Sequence, residues 1–183
     1  MKNYILLFAI IFASCDAPVM EQQGSGFFTP QPEESFVNAS DEFTDIYVAW
    51  VQAHNDKDIE AILSYQTEDI RLDLADGSVI VGSEAHSTAL ENYFATNPVW
   101  EIYWAMPYKG LLNDETWIIA GQSVTNENEG EETTVLIMAD AQFTDGKISR
   151  LIAYEKDIPP SEYCLLYTSD AADEGLGVDL GGR

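Results

Sequence analysis

The apolar residues of this chain change period once, at Asn97-Pro98, and that change limits the folds open to it. Before it, Phe36, Phe43, Tyr47, Trp50 and Val51 recur at three- and four-residue steps, which predicts one face of an amphipathic helix from Phe36 to about His54. Asp41 and Glu42 suit the first turns, where the helix dipole favours negative charge. "NDKD" breaks this helix, and Ile59, Ile62 and Leu63 mark a second, short one with Asp56 as its N-cap. "IRLDLADGSVIVG" then alternates as a short hairpin. Ser83 is placed to cap a third helix, with Ala85, Ala89, Leu90, Tyr93 and Phe94 on one side. Beyond the change, "VWEIYWAMPY", "TWIIAGQSV", "TTVLIMADAQF" and "KISRLIAYEK" are rich in β-branched and aromatic residues, as strands are. Asp145-Gly146 signals a tight hairpin, and "NENEGEE" a longer charged tip. Three helices followed by an antiparallel meander is an α+β pattern, with helices on one face of a curved sheet.

Both ends of the chain read as something other than this domain. Lys2 precedes an apolar run of about ten residues, Tyr4 to Ala13, which is the length of a signal-peptide core and half that of a spanning helix. Phe12-Ala13-Ser14-Cys15 resembles a bacterial lipobox, with Phe12 where leucine is usual, and implies a lipid on Cys15; the other reading is an incidental thiol beside an ordinary cleavage site. Residues 1–14 are thus expected to be a lipoprotein signal peptide. Residues 15–34, rich in Pro, Gly, Gln and Glu, are expected to be a flexible tether, and 35–160 the folded domain. "CLLYTSDAADE" and "GVDLGGR" read as translated sequencing-adapter sequence, so 164–183 are expected to be an artefact; a short acidic tail is the alternative.

A net charge of -24 excludes phosphate backbones as partners, since they would be repelled. Discounting the tail removes about three of those negative charges, because Asp170, Asp173, Glu174 and Asp179 stand against Arg183. With Cys15 lipidated and Cys164 in the tail, no disulfide framework remains. His54 and His86 lack neighbouring cysteines at zinc spacing, and "NENEGEETTVLI" has its glycine one place early for a calcium loop, so no metal and no cofactor is expected.

The order helix, "HNDKD", helix, "TEDI", short hairpin, "GSEA", helix, four long strands and "FTDGKI" resembles the nuclear-transport-factor-two-like superfamily. It looks most like the SnoaL-like and ketosteroid-isomerase-like members, from about Glu34 to Asp157. The resemblance implies a cystatin-like α+β barrel: a cone-shaped curved antiparallel sheet wrapped around about three N-terminal helices, with a deep pocket. In the isomerase branch a helix tyrosine and a protonated aspartic acid form an oxyanion hole, and another aspartate shuttles the proton. By motif the tyrosine falls on Tyr47 in "IYVAW", the shuttling aspartate on Leu74 and the oxyanion acid on Ala139 in "MADAQF". Asp73 and Asp140 stand one residue away from the missing carboxylates. A strand alternates faces with period two, so Leu72, Leu74, Ala139, Ala141 and Phe143 are expected to face inward, and Arg71, Asp73, Asp140 and Gln142 outward, unless a bulge reverses them.

His54 at a helix end and His86 in the third helix read as surface or half-buried residues, and serve as acid or base only if one reaches the pocket. Tyr47, Trp50, Tyr65, Tyr93, Trp100, Trp104 and Trp117, with Leu72, Leu74 and Ala139, are the expected lining of a cavity for a flat or apolar ligand. The competing account of these aromatics is ordinary core plus a sheet face used by a homodimer. Two functions follow. One is an exported, membrane-anchored lipoprotein that binds a small, mostly apolar molecule without catalysis. The other is a SnoaL-like isomerase, cyclase or hydratase in which Tyr47 polarises a carbonyl and Asp73, Asp140 or His86 moves the proton.

Overall fold

The hairpin signals close as their turn chemistry requires, with positive φ at Asp145 and Gly146 (50° and 74°) and at Glu129 and Gly130 (51° and 84°). The computed structural model describes residues 22–158. The expected signal peptide, Cys15, the start of the tether and the tail from Cys164 lie outside the described residues. Within them the chain runs β1 (Phe36–Asn38), α1 (Glu42–Asn55), α2 (Ile59–Ser64), β2 (Gln66–Asp73), β3 (Val79–Val81), α3 (Ser83–Tyr93), a single 3-10 turn (Phe94–Thr96), β4 (Val99–Gly110), β5 (Thr116–Asn128), β6 (Glu131–Thr144) and β7 (Lys147–Asp157). One seven-stranded sheet results, in the order β1-β4-β5-β6-β7-β2-β3. The α+β cone is therefore the fold, with the meander β4 to β7 antiparallel and one parallel pairing, β2 beside β7, that the sequence pattern does not announce.

The core lies between the helices and one face of the sheet. Tyr47, Trp50 and Val51 of α1, Ile62 of α2 and Leu90 of α3 meet Ile70, Leu72, Ile118, Ala120, Ala139, Ala141, Phe143, Ile148 and Leu151. Each large side chain buried here contributes roughly 1.5–3 kcal/mol.

Four local expectations are corrected. Phe36 belongs to β1 rather than to the first helix, because Phe36 exchanges backbone hydrogen bonds with Ser25 and pairs with Gly110 at the sheet edge. The second helix is capped by Asp58, whose side chain accepts from the Ala61 N–H at 3.0 Å, while Asp56 ends α1. Ser83 is the first residue of α3, after Gly82, and its hydroxyl donates to the Thr67 carbonyl instead of capping. Finally, Glu34, the expected end of the tether, belongs to the folded domain, because its carboxylate is buried and accepts from the backbone N–H groups of Ser35, Leu111, Leu112 and Asn113 at 2.8–3.2 Å. Burial opposes the charge on Glu34, but the four N–H donors outweigh it and hold the carboxyl below its ordinary pKa.

Candidate functional site

Strand register decides where the two carboxylates point. Leu72 is buried and stands opposite Leu151 and Ile80, so Arg71 and Asp73 share the opposite face. There Asp73 is held by Arg71 at 2.6 Å and Arg150 at 2.8 Å. The hydrogen bond from Arg71, opposed by partial burial and reinforced by Arg150, holds the Asp73 carboxyl below its ordinary pKa. Ala139 and Ala141 are buried, so Asp140 between them also faces outward, where it is half-buried and pairs in register with Ile119 and Ile152. Its side chain has no hydrogen-bond partner among the described residues, and burial pushes its pKa up. Neither aspartate is on the face that carries Tyr47.

What does meet Tyr47 is a set of neutral polar groups. The Tyr47 hydroxyl, fully buried, donates to Gln122 Oε1 at 2.9 Å, and burial raises its pKa far above the ordinary tyrosine value. One helical turn on, Trp50 lies 6.1 Å from the Tyr47 ring and 4.4 Å from that of His54; one turn further, His54 Nδ1 meets the Trp50 carbonyl at 2.8 Å. A carbonyl only accepts, so His54 is the Nδ1–H tautomer and its Nε2 is an acceptor. His86 follows the same logic. Its Nδ1 meets Gln66 Oε1 at 2.9 Å, Gln66 Nε2 donates to the Ser83 hydroxyl at 3.2 Å, and that hydroxyl donates to the Thr67 carbonyl. The two imidazole rings are 5.9 Å apart. Desolvation lowers the pKa of both to about 4, assisted at His86 by its neighbour His54, so both are neutral at pH 7. The expectation of surface or half-buried histidines is corrected: they sit 5% and 4% exposed, drawn inside by α1 and α3. Amid these rings the Trp50 indole N–H is buried and has no partner among the described residues.

The rings grade outward. Trp100, half-buried, stands 5.2 Å from His54, and Tyr93, 37% exposed, stands 5.7 Å from Trp100. Asn55, at the end of α1, fixes Trp100 by donating to its carbonyl at 2.9 Å and accepting from its N–H at 2.8 Å. Of the expected lining, Tyr47, Trp50, Leu72 and Ala139 are buried inside; Leu74 and Tyr65 are half-buried against the core; and Tyr93 is at the rim.

Trp104 and Trp117 are not in the interior. A register shift between Ile102 and Trp104 turns Trp104 outward, and Trp117 precedes the inward-facing Ile118, with its indole N–H on Glu115 at 3.4 Å. Gln122, Gln66 and Asn55 were not anticipated. For Gln122 a signal was present: it continues the inward series Ile118, Ala120.

Among the described residues no group of three or more His, Cys, Asp or Glu side chains is placed to hold a metal ion. Two clefts, of about 600 and 470 Å³, open on the outer face of the sheet and share Asp140.

No family model matches the chain, and no curated protein matches it. Solved structures do. Bal32a, from a soil-derived mobile gene cassette, is 13% identical with a TM-score of 0.53 over 64% of this chain and 91% of its own. A Kribbella flavida protein assigned as a ketosteroid isomerase is 15% identical with a TM-score of 0.52 over 70% and 90%. TerC, co-crystallized with polyporic acid, is 16% identical with a TM-score of 0.51 over 63% and 92%. At these identities the likeness is one of fold.

Proposed function

We propose that this domain binds a small, mostly apolar molecule carrying a hydrogen-bond acceptor, without turning it over, and that it does so outside the cytoplasm on a lipid anchor at Cys15. The observation that carries this reading is the unpartnered indole N–H of Trp50. A buried donor left unpaired costs about 1–3 kcal/mol, and a ligand carbonyl or hydroxyl oxygen would recover it. The ligand enters past Tyr93 and Trp100 and lies against His54, His86 and Trp50. Its apolar body suits the rings, and its oxygen takes the indole proton. With Asp73 and Asp140 on the opposite face, no carboxylate serves as proton carrier there.

The test is a thermal-shift screen of aromatic ketones and phenols on the full chain, repeated with Trp50→Phe. Ligands that raise the melting temperature of the parent and lose that effect in the variant support the reading. A screen without a single stabilising compound defeats it.

One observation favours the second reading, a SnoaL-like isomerase, cyclase or hydratase. His54 and His86 have Nδ1 engaged, so each keeps Nε2 as an acceptor, and their rings stand 4.4 and 6.3 Å from that of Trp50, itself 6.1 Å from the Tyr47 ring. In that case ketone turnover is measurable and is abolished by His86→Gln or His54→Gln. Turnover that survives both rules out the histidines.

A further inference from the structure

The outer face of the sheet carries a pattern that the interior site does not use. Register aligns three rows across it: Tyr108, Trp117, Gln142 and Arg150; Met106, Ile119, Asp140 and Ile152; and Trp104, Gly121, Met138 and Tyr154. Trp104, Met106, Met138 and Tyr154 are 46–58% exposed, an apolar and aromatic surface on a chain whose net charge is -24. Gly121 helps to make this surface. A side chain there would overlap the Trp104 ring, so glycine lets that ring lie against the sheet.

At the middle of the face sits one carboxylate. Asp140 is where the two outer clefts meet, one reaching Phe36, Met106, Tyr108 and Ile119, the other Trp104, Met138, Tyr154 and the charged pair Glu155 and Lys156. The one guanidinium in the adjoining row, Arg150, is drawn away to Asp73 at 2.8 Å. Lys156 makes no ion pair with Asp140 either, so among the described residues Asp140 is an unpaired carboxylate in half-apolar surroundings, with Tyr108 in one cleft and Trp104 and Tyr154 in the other. Tyr108 senses that charge: its pKa is raised to about 12 by burial first, and then by Asp140 and Tyr154.

We infer that this face is a second binding site, for an organic ammonium ion, with Asp140 as counter-ion and the rings of Tyr108, Trp104 and Tyr154 beside it. Charge complementarity selects the occupant. A quaternary ammonium is large and weakly hydrated, its methyl groups suit Met106, Met138 and Ile119, and its charge is attracted both by the ring faces and by the carboxylate. An acidic protein also concentrates cations at its surface. A second copy of the chain fits less well, because apposing two such faces would bury two unpaired Asp140 carboxylates in one dry interface.

The test is a titration of the full chain with choline, followed through the methyl NMR signals of Met106 and Met138, beside its neutral carbon isostere dimethylbutanol. The expected result is saturable one-to-one binding of choline that moves both methyl signals, with dimethylbutanol weaker by roughly ten-fold. Asp140→Asn weakens choline by about the same factor and leaves dimethylbutanol unchanged. Tyr154→Leu, which keeps the bulk and removes the ring, weakens choline several-fold, and Glu129→Gln at the distant hairpin tip changes nothing. Equal affinity for the two compounds, choline binding that survives Asp140→Asn, or a dimer that silences both methyl signals and tightens in Asp140→Asn overturns the inference. The interior site is probed by none of these compounds' effects on Met106 and Met138, so failure here leaves the interior reading standing.

Discussion

The two faces of one sheet, built from alternate residues of the same strands, handle polarity in opposite ways. Inside, Tyr47, His54 and His86 are neutral polar groups whose geometry is fixed by a partner, Gln122, the Trp50 carbonyl and Gln66 in turn, while the buried Trp50 indole N–H has no partner among the described residues. Outside, the face carries charges as well as neutral groups, among them Asp73 between two arginines and Asp140 with no ion-pair partner among the described residues. A one-residue step along β2 or β6 therefore separates an interior of neutral polar groups from a face that carries charges. That step keeps the carboxylates of Asp73 and Asp140 off the interior face, where Leu72, Ala139 and Ala141 stand.

The contrast breaks most severely if a carboxylate is moved across the sheet. Ala139→Asp, placing the charge among Tyr47, Trp50 and Ala120, should cost about 4 kcal/mol or prevent folding, whereas Asp140→Ala next door should be close to neutral in denaturant unfolding. Next in size is the effect of acid. The two histidines have folded pKa values of about 4, below their unfolded value of 6.5, so the unfolded chain binds more protons between those limits. Stability is therefore fully present above about pH 6.5 and falls as pH drops towards 4, by on the order of 3 kcal/mol per histidine. His86→Gln should flatten that part of the profile. Asp73 and Glu34, whose pKa values are lowered from 3.8 and 4.5, add their own loss as pH falls below those unfolded values.

Tyr47→Phe is expected to cost about 1–2 kcal/mol, because it strands the buried Gln122 carbonyl oxygen. Smallest of all, Asp73→Asn should lower stability by less than about 1 kcal/mol, as for other ion pairs open to solvent. A result in which Asp73→Asn outweighs Tyr47→Phe would reverse the ranking of the two faces.

The fold was legible from the sequence because the change of apolar period at Asn97-Pro98 and the Asp145-Gly146 turn are local signals that the structure keeps. The outward placement of Asp73 and Asp140 was legible for the same reason, since alternation in β2 and β6 is unbroken around them. Trp104 was misplaced because alternation from Trp100 and Ile102 predicts an inward side chain, and the register shift in β4 cancels it. Trp117 was misplaced because β5 is apolar in both phases and the inward phase carries a polar residue, Gln122. The histidines were misjudged for a different reason. His86 is held by Gln66, twenty residues away, a partner that no spacing in the sequence reports, and His54 by the backbone of Trp50, which carries no side-chain signal. Phe36 shows the limit of periodicity at an element of three residues, which β1 is.

The most direct test of the central claim is the indole N–H signal of Trp50 in a nitrogen-correlated NMR spectrum of the full chain, followed while 1-indanone is added. The account predicts that this signal, alone among the four tryptophan indoles, moves downfield and saturates as its proton meets the ketone oxygen. A Trp50 signal that stays in place while the melting temperature rises, or one that does not respond to any ketone or phenol, would contradict it.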